Sequence, residues 1–485
     1  MRLRMEMRMT GLTLGLVLAL LAGGAQAAPP LSPAQDQAFA RETLKELVEI
    51  NTVHKNGTRA AAEAVARRLK AAGFTDGEVQ VVAPPGQPSY ADTVVRLRGR
   101  GKARPLLYIV HLDVVEALPE DWTVDPFRLT EKDGYYYGRG TLDIKGEAAA
   151  GITALARMKR EGFVPDRDII LAFTSDEESG DINGVQWLTT ARRDLVDAGL
   201  ALNPDAGRPV SRGGKPLYYG FQTSEKVYTA FLLETTNKGG HSSLPRPDNA
   251  IYQLAHALER VEAWRFPARL TATTRAYLQT TAALAEGRTA ADMAAVAAGE
   301  TPDPAAADRL SADPDQNATL RTTCVATLLE GGHAENALPQ RARATVQCRV
   351  LPGESLESVR AALVAAIADP GVAVTEVRPA NPAPESPPTA QISALFTRTA
   401  QSMWPGVPVL PVMDQGASDS VFTRAAGIPT YGSWSIFYEV DDFRAHGRDE
   451  RIGVQAFQEG VEFTYRLLKA GSALPDSATA TNRER

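Results

Sequence analysis

The stretch Leu171-Ala172-Phe173-Thr174-Ser175-Asp176-Glu177-Glu178-Ser179-Gly180 decides the fold. With Asp168-Ile169-Ile170 before it, it forms an almost unbroken apolar run that ends in three consecutive carboxylates, Asp176, Glu177 and Glu178. An apolar run of this length between helical patterns reads as an interior strand of a sheet covered on both faces. Such sheets carry their chemistry just beyond the carboxyl ends of the strands. Three acids crowded there repel one another unless a positive charge compensates them, and a metal ion is the strongest candidate. An acidic turn alone reads equally as a solvated loop or a helix N-cap, so the metal reading needs ligands from other strands.

Outward from this strand the pattern alternates. Helical periodicity covers 33–50, 58–72, 146–159 and 183–195, and strand-like runs cover 77–82, 92–97 and 105–110. Alternation of this kind predicts an α/β domain with a mostly parallel central sheet flanked by helices. From 214 the texture changes to strand 226–236, helix 249–263, strands 321–329 and 342–351, helix 356–368 and strand 372–377. That order is the split β-α-β-β-α-β unit of ferredoxin-like lids. An alanine-rich stretch, about 268–313, reads as a helical excursion from the lid. Proline-dense 379–388 reads as the linker out, after which helix 392–403, strand 427–431 and helix 452–468 complete the first domain. The expected organisation is a catalytic domain in two parts, 28–213 and 384–470, interrupted by a lid at 214–383. The polar tail 471–485 is expected to fray.

Residues 1–27 are expected to be a secretory signal peptide. Arg2, Arg4 and Arg8 give a positive start, 11–22 is a short apolar core, and Ala25-Gln26-Ala27 supplies a cleavage site after Ala27. The implied location is secreted or periplasmic. The formal charge of −6 becomes −8 once three arginines and Glu6 are removed. An acidic surface argues against nucleic acid or an anionic membrane as partner. No later stretch reads as a membrane span. Two cysteines, Cys324 and Cys348, exclude a cysteine-based zinc site or a disulfide scaffold. They lie symmetrically about Asn336 on two lid strands expected to be adjacent and antiparallel, which allows one disulfide in an oxidising compartment.

Only six histidines occur. His111 closes the strand at 106–110, and Asp113, two residues on and facing the same side, can orient its ring. Asp143 lies in the glycine-punctuated run Gly138 to Gly146, where it also reads as an ordinary helix N-cap. Asp205 follows Leu202-Asn203-Pro204, and His446 opens the run His446 to Arg451 before the last helix. His54 reads as a polar-loop residue, His256 as exposed on a lid helix, and His333 as lining an entrance or as a plain loop residue. Gly416-Ala417-Ser418-Asp419-Ser420 misses the nucleophile-elbow pattern.

In order and texture these runs resemble the co-catalytic di-zinc exopeptidase and amidohydrolase family of glutamate carboxypeptidase, aminoacylase, carnosine dipeptidase and succinyl-diaminopimelate desuccinylase. The resemblance includes Gly239-Gly240-His241-Ser242-Ser243, Glu335 to Pro339, Cys348 to Gly353 and Gly416 to Ser420. It implies two zinc ions per subunit, with cobalt or manganese as substitutes. Asp143 would bridge them, His111 and Asp205 completing one site and Glu178 and His446 the other, with Asp197 the alternative to Asp205. It further implies that Glu177 is the general base for a water shared by the ions, and that the Asp143 peptide is cis. His241 would donate to the oxyanion, and Asn336 and Arg349 would hold a substrate carboxylate. Lid pairing in a homodimer, which brings His241 to a partner's cleft, also follows from the resemblance.

The implied activity is hydrolysis of an amide bond next to a free carboxylate, as a carboxypeptidase or dipeptidase. An N-acyl-amino-acid amidohydrolase is the near alternative. A metal-free binding protein and a serine hydrolase using Ser418 and His446 are the readings from other classes.

Overall fold

The computed structural model describes residues 29–377 and 380–479. The expected signal peptide with its cleavage site, Pro379 of the linker, and 480–485 of the tail lie outside the described residues.

A six-stranded sheet forms the body, in the order Val79–Val82, Asp92–Leu97, Ile169–Thr174, Leu106–His111, Leu200–Asn203 and Thr430–Gly432. The first two junctions are antiparallel and the remaining three parallel. All six residues of Ile169–Thr174 are buried, and their alternation explains the unbroken apolar run. Ile169, Leu171 and Phe173 face one core, with Val65, Ile152 and Leu467, while Ile170 and Ala172 face a second, with Val185 and Leu188. A strand covered on both sides has no polar face to display. Helix Gly146–Arg160 crosses the sheet so closely that a Cβ on Gly151 would lie 3.1 Å from the Tyr108 ring and 3.2 Å from Leu171. Three parallel strand ends, at His111, Thr174 and Asn203, thereby open onto one edge of the body.

The lid is a four-stranded antiparallel sheet ordered Thr323–Gly331, Arg341–Val350, Val227–Thr236 and Val372–Glu376. Helices Ala250–Ala263 and Leu356–Ile367 cover one face through Leu254, Val261, Val359 and Leu363. Cys324 faces Cys348 across the first strand pair, and the two form a disulfide.

Three expectations need correction. The lid does not begin at 214: strand Lys215–Glu225 belongs to a second body sheet, ordered Val409–Asp414, Lys215–Glu225, Arg208–Arg212 and Tyr438–Glu439. Only Lys226 separates it from the lid strand Val227–Thr236, so one continuous extended run crosses the boundary without a glycine or proline to mark it. The excursion is helical but runs on to Leu320, and it packs on the body rather than the lid. Tyr277, Leu278, Val296 and Leu310 bury their apolar faces against Leu410 and Val412. The tail, as far as Thr479, is docked: Ala478 is fully buried, Asp476 accepts from the Arg104 amide at 3.1 Å, and the buried Arg167 donates to the Leu474 carbonyl. No helix among the described residues is long and apolar enough to cross a membrane.

Candidate metal centre

His111 is the last residue of its strand, Glu178 lies four residues past Thr174, and Asp205 two past Asn203. Asp143 sits in the tight turn Thr141–Lys145 leading into helix Gly146–Arg160, and the Asp143–Ile144 peptide is cis. His446 comes from the loop before Arg451–Gly453, with φ of 60°. The five side chains converge in two overlapping groups, His111 with Asp143 and Asp205, and Asp143 with Glu178 and His446. Within each group the ligand-type atoms lie within 4.8 Å of one another. Asp143 belongs to both. Its Oδ1 is 3.2 Å from His111 Nε2, and its Oδ2 is 3.1 Å from His446 Nε2. Asp205 approaches His111 Nε2 at 3.8 Å and Glu178 approaches His446 Nε2 at 3.0 Å. Asp197 takes no part, being paired with Arg193 and Arg104.

The acidic triplet divides. Asp176 is buried with φ of 60°, which turns it away from the cluster and onto His54 Nδ1 at 2.7 Å. His54 is thus the partner of the acid preceding Glu177, and Tyr90 lies against its ring. Asp113 also acts differently from the sequence expectation. His111 Nδ1 donates to the Asp113 carbonyl at 3.1 Å, while the carboxylate lies 3.7 Å from that nitrogen. The Asp113 carboxylate instead accepts the backbone amides of Glu177 at 3.1 Å and Glu178 at 3.0 Å. It reaches the ring through its backbone and the acidic turn through its side chain.

Crowding and burial set the electrostatics of the cluster. Burial pushes Asp205 up to about 7 against His111, and raises Glu178 against His446 and His111. Burial, with repulsion from Asp205, holds Glu177 well above the usual carboxylate range. For Asp143 burial works the same way, but hydrogen bonds from His111 and His446 outweigh it and keep its pKa low. Asp143 and then Glu178 raise His446 to about 10. Among the described residues no lysine or arginine pairs with any of these acids, whose recorded ionic partners are the two imidazoles. Mixed imidazole and carboxylate donors around two centres that share one carboxylate fit a pair of divalent cations. Glu177 is half-buried beside the ligands, and its carboxylate takes no hydrogen bond from the described residues.

The lid residues stand apart from this cluster. His241 is exposed and its Nδ1 bonds the Ser243 hydroxyl. Asn336, also exposed, accepts the Ser242 amide through its carbonyl, so it lies beside the His241 strand. Neither forms a hydrogen bond or ion pair with Arg349 or the ligand set among the described residues. Arg349 packs its guanidinium 4.9 Å over the Tyr228 ring, and its buried Nη1 has no hydrogen-bond partner. His256 and His333 are exposed. Ser418 donates to Glu225 at 2.7 Å and accepts from Asn203, whereas His446 faces the metal cluster, so these two do not form a serine-hydrolase pair.

Sequence reasoning passed over two further groups. Asp419 is buried, accepts from Asn183 at 2.6 Å, and adds to the repulsion on Glu177. Arg139 and Glu450 form a buried ion pair at 2.6 Å beneath the Asp143 turn. Both residues lie inside motifs the sequence singles out, but only their burial distinguishes them from ordinary loop charges.

The profile of "Peptidase family M20/M25/M40" matches residues 107–470. The human "N-fatty-acyl-amino acid synthase/hydrolase PM20D1" is 29% identical over 390 residues, 76% of this chain and 74% of that protein. A Dictyostelium discoideum "Probable carboxypeptidase S-like 2" is 29% identical over 395 residues, 76% of this chain and 71% of that protein. Among solved structures, an M20 family metallo-carboxypeptidase from Sulfolobus solfataricus superposes with a TM-score of 0.65 at 17% identity, covering 90% of this chain and 99% of that one. A profile spanning three-quarters of the chain, over both halves of the body and the lid between them, makes this protein a member of the peptidase family M20/M25/M40.

Proposed function

We propose that the protein is an exported zinc hydrolase that cuts the amide bond next to a free carboxylate, releasing an amino acid from a peptide. One observation carries the reading: Asp143 turns one carboxylate oxygen to His111 and the other to His446, with Asp205, Glu178 and an uncommitted Glu177 around it. Zinc held by His111, Asp143 and Asp205 at one position, and by Asp143, Glu178 and His446 at the other, would polarise the scissile carbonyl and acidify water; cobalt or manganese could replace it. Glu177 takes the proton of the attacking water and delivers it to the leaving amine, a task suited to a carboxylate that stands beside the ligands without a hydrogen-bond partner among the described residues. Arg349, stacked on Tyr228 with an unpaired Nη1, receives the substrate carboxylate as a planar fork, together with Asn336.

His241 completes the site from a second copy of the chain by donating to the oxyanion. The edge strand Thr323–Gly331 supports pairing of lids, since Val325, Leu328 and Leu329 are 57%, 66% and 69% exposed there. Export is supported by the leader-like residues 1–27 and by the Cys324–Cys348 disulfide, which an oxidising compartment favours. A second reading, cleavage of N-acyl amino acids, is supported by the similarity to the human N-fatty-acyl-amino acid synthase/hydrolase. It needs the same carboxylate site and the same base.

Amine release from dipeptides, N-acyl amino acids and their carboxamide counterparts, with and without chelator, tests the proposal. Free acids should be cleaved and carboxamides spared, and chelator should abolish turnover. Equal cleavage of acids and carboxamides, or turnover that survives metal removal, would overturn it.

A further inference from the structure

Glu450 is fully buried and Arg139 is 3% exposed, yet neither belongs to the ligand set. Glu450 Oε2 receives Arg139 Nη1 at 2.6 Å. Its Oε1 accepts two consecutive backbone amides, Leu142 at 2.7 Å and Asp143 at 3.0 Å. Its own carbonyl accepts the Gly138 amide at 3.0 Å. Arg139 Nη2 reaches across to the Gly447 carbonyl at 3.0 Å, directly after His446, and to the Glu116 carbonyl at 3.4 Å. The Arg139 guanidinium lies 5.1 Å over the Trp122 ring. One ion pair thus grips the backbone of the Asp143 turn with one end and the backbone beside His446 with the other.

The two halves of the metal centre are not held equally. His111 and Asp205 project from ends of neighbouring strands in the buried sheet. His446 projects from a loop, with a side chain 54% exposed and a left-handed backbone. Other anchors hold that loop at its ends, through Arg444 and Arg451 on Asp442 and the Thr123 amide on Asp449. The Arg139–Glu450 pair alone among these contacts joins it to the backbone of the shared ligand. Stability does not account for the pair, because burying two charges costs about as much as their attraction returns. What it supplies is direction.

The geometry points to Glu450 and Arg139 as positioning residues that register Asp143 against His446 and so set the affinity of the outer metal position, formed by Asp143, Glu178 and His446. The inference rests on the two-metal reading given above. Removing such a partner behind a ligand weakens metal binding by about 10–100-fold. The loss should fall mostly on the outer position, which also loses its hold on the His446 loop, while the other position keeps His111 and Asp205 fixed by the sheet and changes less.

The test is zinc titration of the metal-free full chain, following both binding constants by competition with a chromophoric chelator. It compares the natural protein with Glu450→Gln and Arg139→Lys. The first removes the charge that gathers the Asp143 turn; the second keeps a cation near Glu450 but cannot fork to the Gly447 carbonyl. Arg139→Lys, which leaves the Glu450 contact with the Asp143 amide in place, should lose about 10–100-fold in one constant and little in the other. Glu450→Gln, which also frees the shared Asp143 turn, should lower both, the outer one more. Excess zinc should restore turnover in each. If Glu450→Gln does not fold, Arg139→Lys decides alone. In Arg139→Lys, two constants that fall together, neither falling, or turnover that saturating zinc does not recover would overturn the inference. A natural protein that binds only one equivalent would instead sink the two-metal reading and this inference with it.

Discussion

Replacing Asp113 by Asn separates its two contacts. The Asp113 carboxylate is buried and accepts the amides of Glu177 and Glu178, one on each oxygen, while the His111 ring is held by the Asp113 carbonyl. Asparagine keeps the volume, the carbonyl and one acceptor, but turns an NH2 group toward the second amide. Losing a charge-assisted hydrogen bond costs about 1.5–3 kcal/mol, and the stranded amide adds about 1–3 kcal/mol. A turn displaced by that amount moves the base and a metal ligand together. At about 1.4 kcal/mol per factor of ten, Asp113→Asn should lower kcat/KM by roughly 10²–10⁴-fold. The assay is steady-state hydrolysis of one N-acyl amino acid at saturating zinc, with a melting curve to confirm folding. If the carboxylate contributed nothing to holding the turn, asparagine would change activity little. A loss of only about threefold, under 1 kcal/mol, would therefore refute the turn-holding role.

Two further outcomes follow from the lid. The disulfide closes a loop with a sequence separation of 24, so exchanging both cysteines for alanine should destabilise the lid by about 3.5 kcal/mol on the loop-entropy relation. Denaturant melting checks this, and an unchanged midpoint would count against it. His241→Ala should lower turnover by about 10²–10³-fold with zinc content intact. Mixing its subunits with Glu177→Gln subunits should recover activity if the histidine acts across a dimer, and verified mixed dimers without activity would contradict that arrangement.

What the sequence made legible followed physical logic. Ile169–Thr174 was readable because both of its faces are buried, which leaves a continuous apolar run with no other simple explanation. The ligands were readable as a set only through their resemblance to a known family, since Asp143 alone is indistinguishable from an N-cap. The direction of Asp176 was hidden, because the sign of one φ angle sends it to His54 while its two neighbours stay with the site. The second body sheet was hidden for another reason. Val409–Asp414 contains Pro411, which reads as a break, yet it pairs in parallel with Lys215–Glu225 through an irregularity at Val412 and Met413. The Arg139–Glu450 pair joins residues 311 apart, beyond the reach of any local pattern.

The most direct test of the central claim is turnover measured while the metal-free protein is titrated with zinc, with Glu177→Gln in parallel. The metal-free chain should be inactive, and activity should rise to a plateau at about two equivalents per chain, as expected for a two-metal hydrolase. Glu177→Gln should bind the same zinc yet remain roughly 10²–10⁴-fold slower at the plateau, because a proton acceptor is missing. Full turnover without metal, or full turnover in Glu177→Gln, would contradict the account.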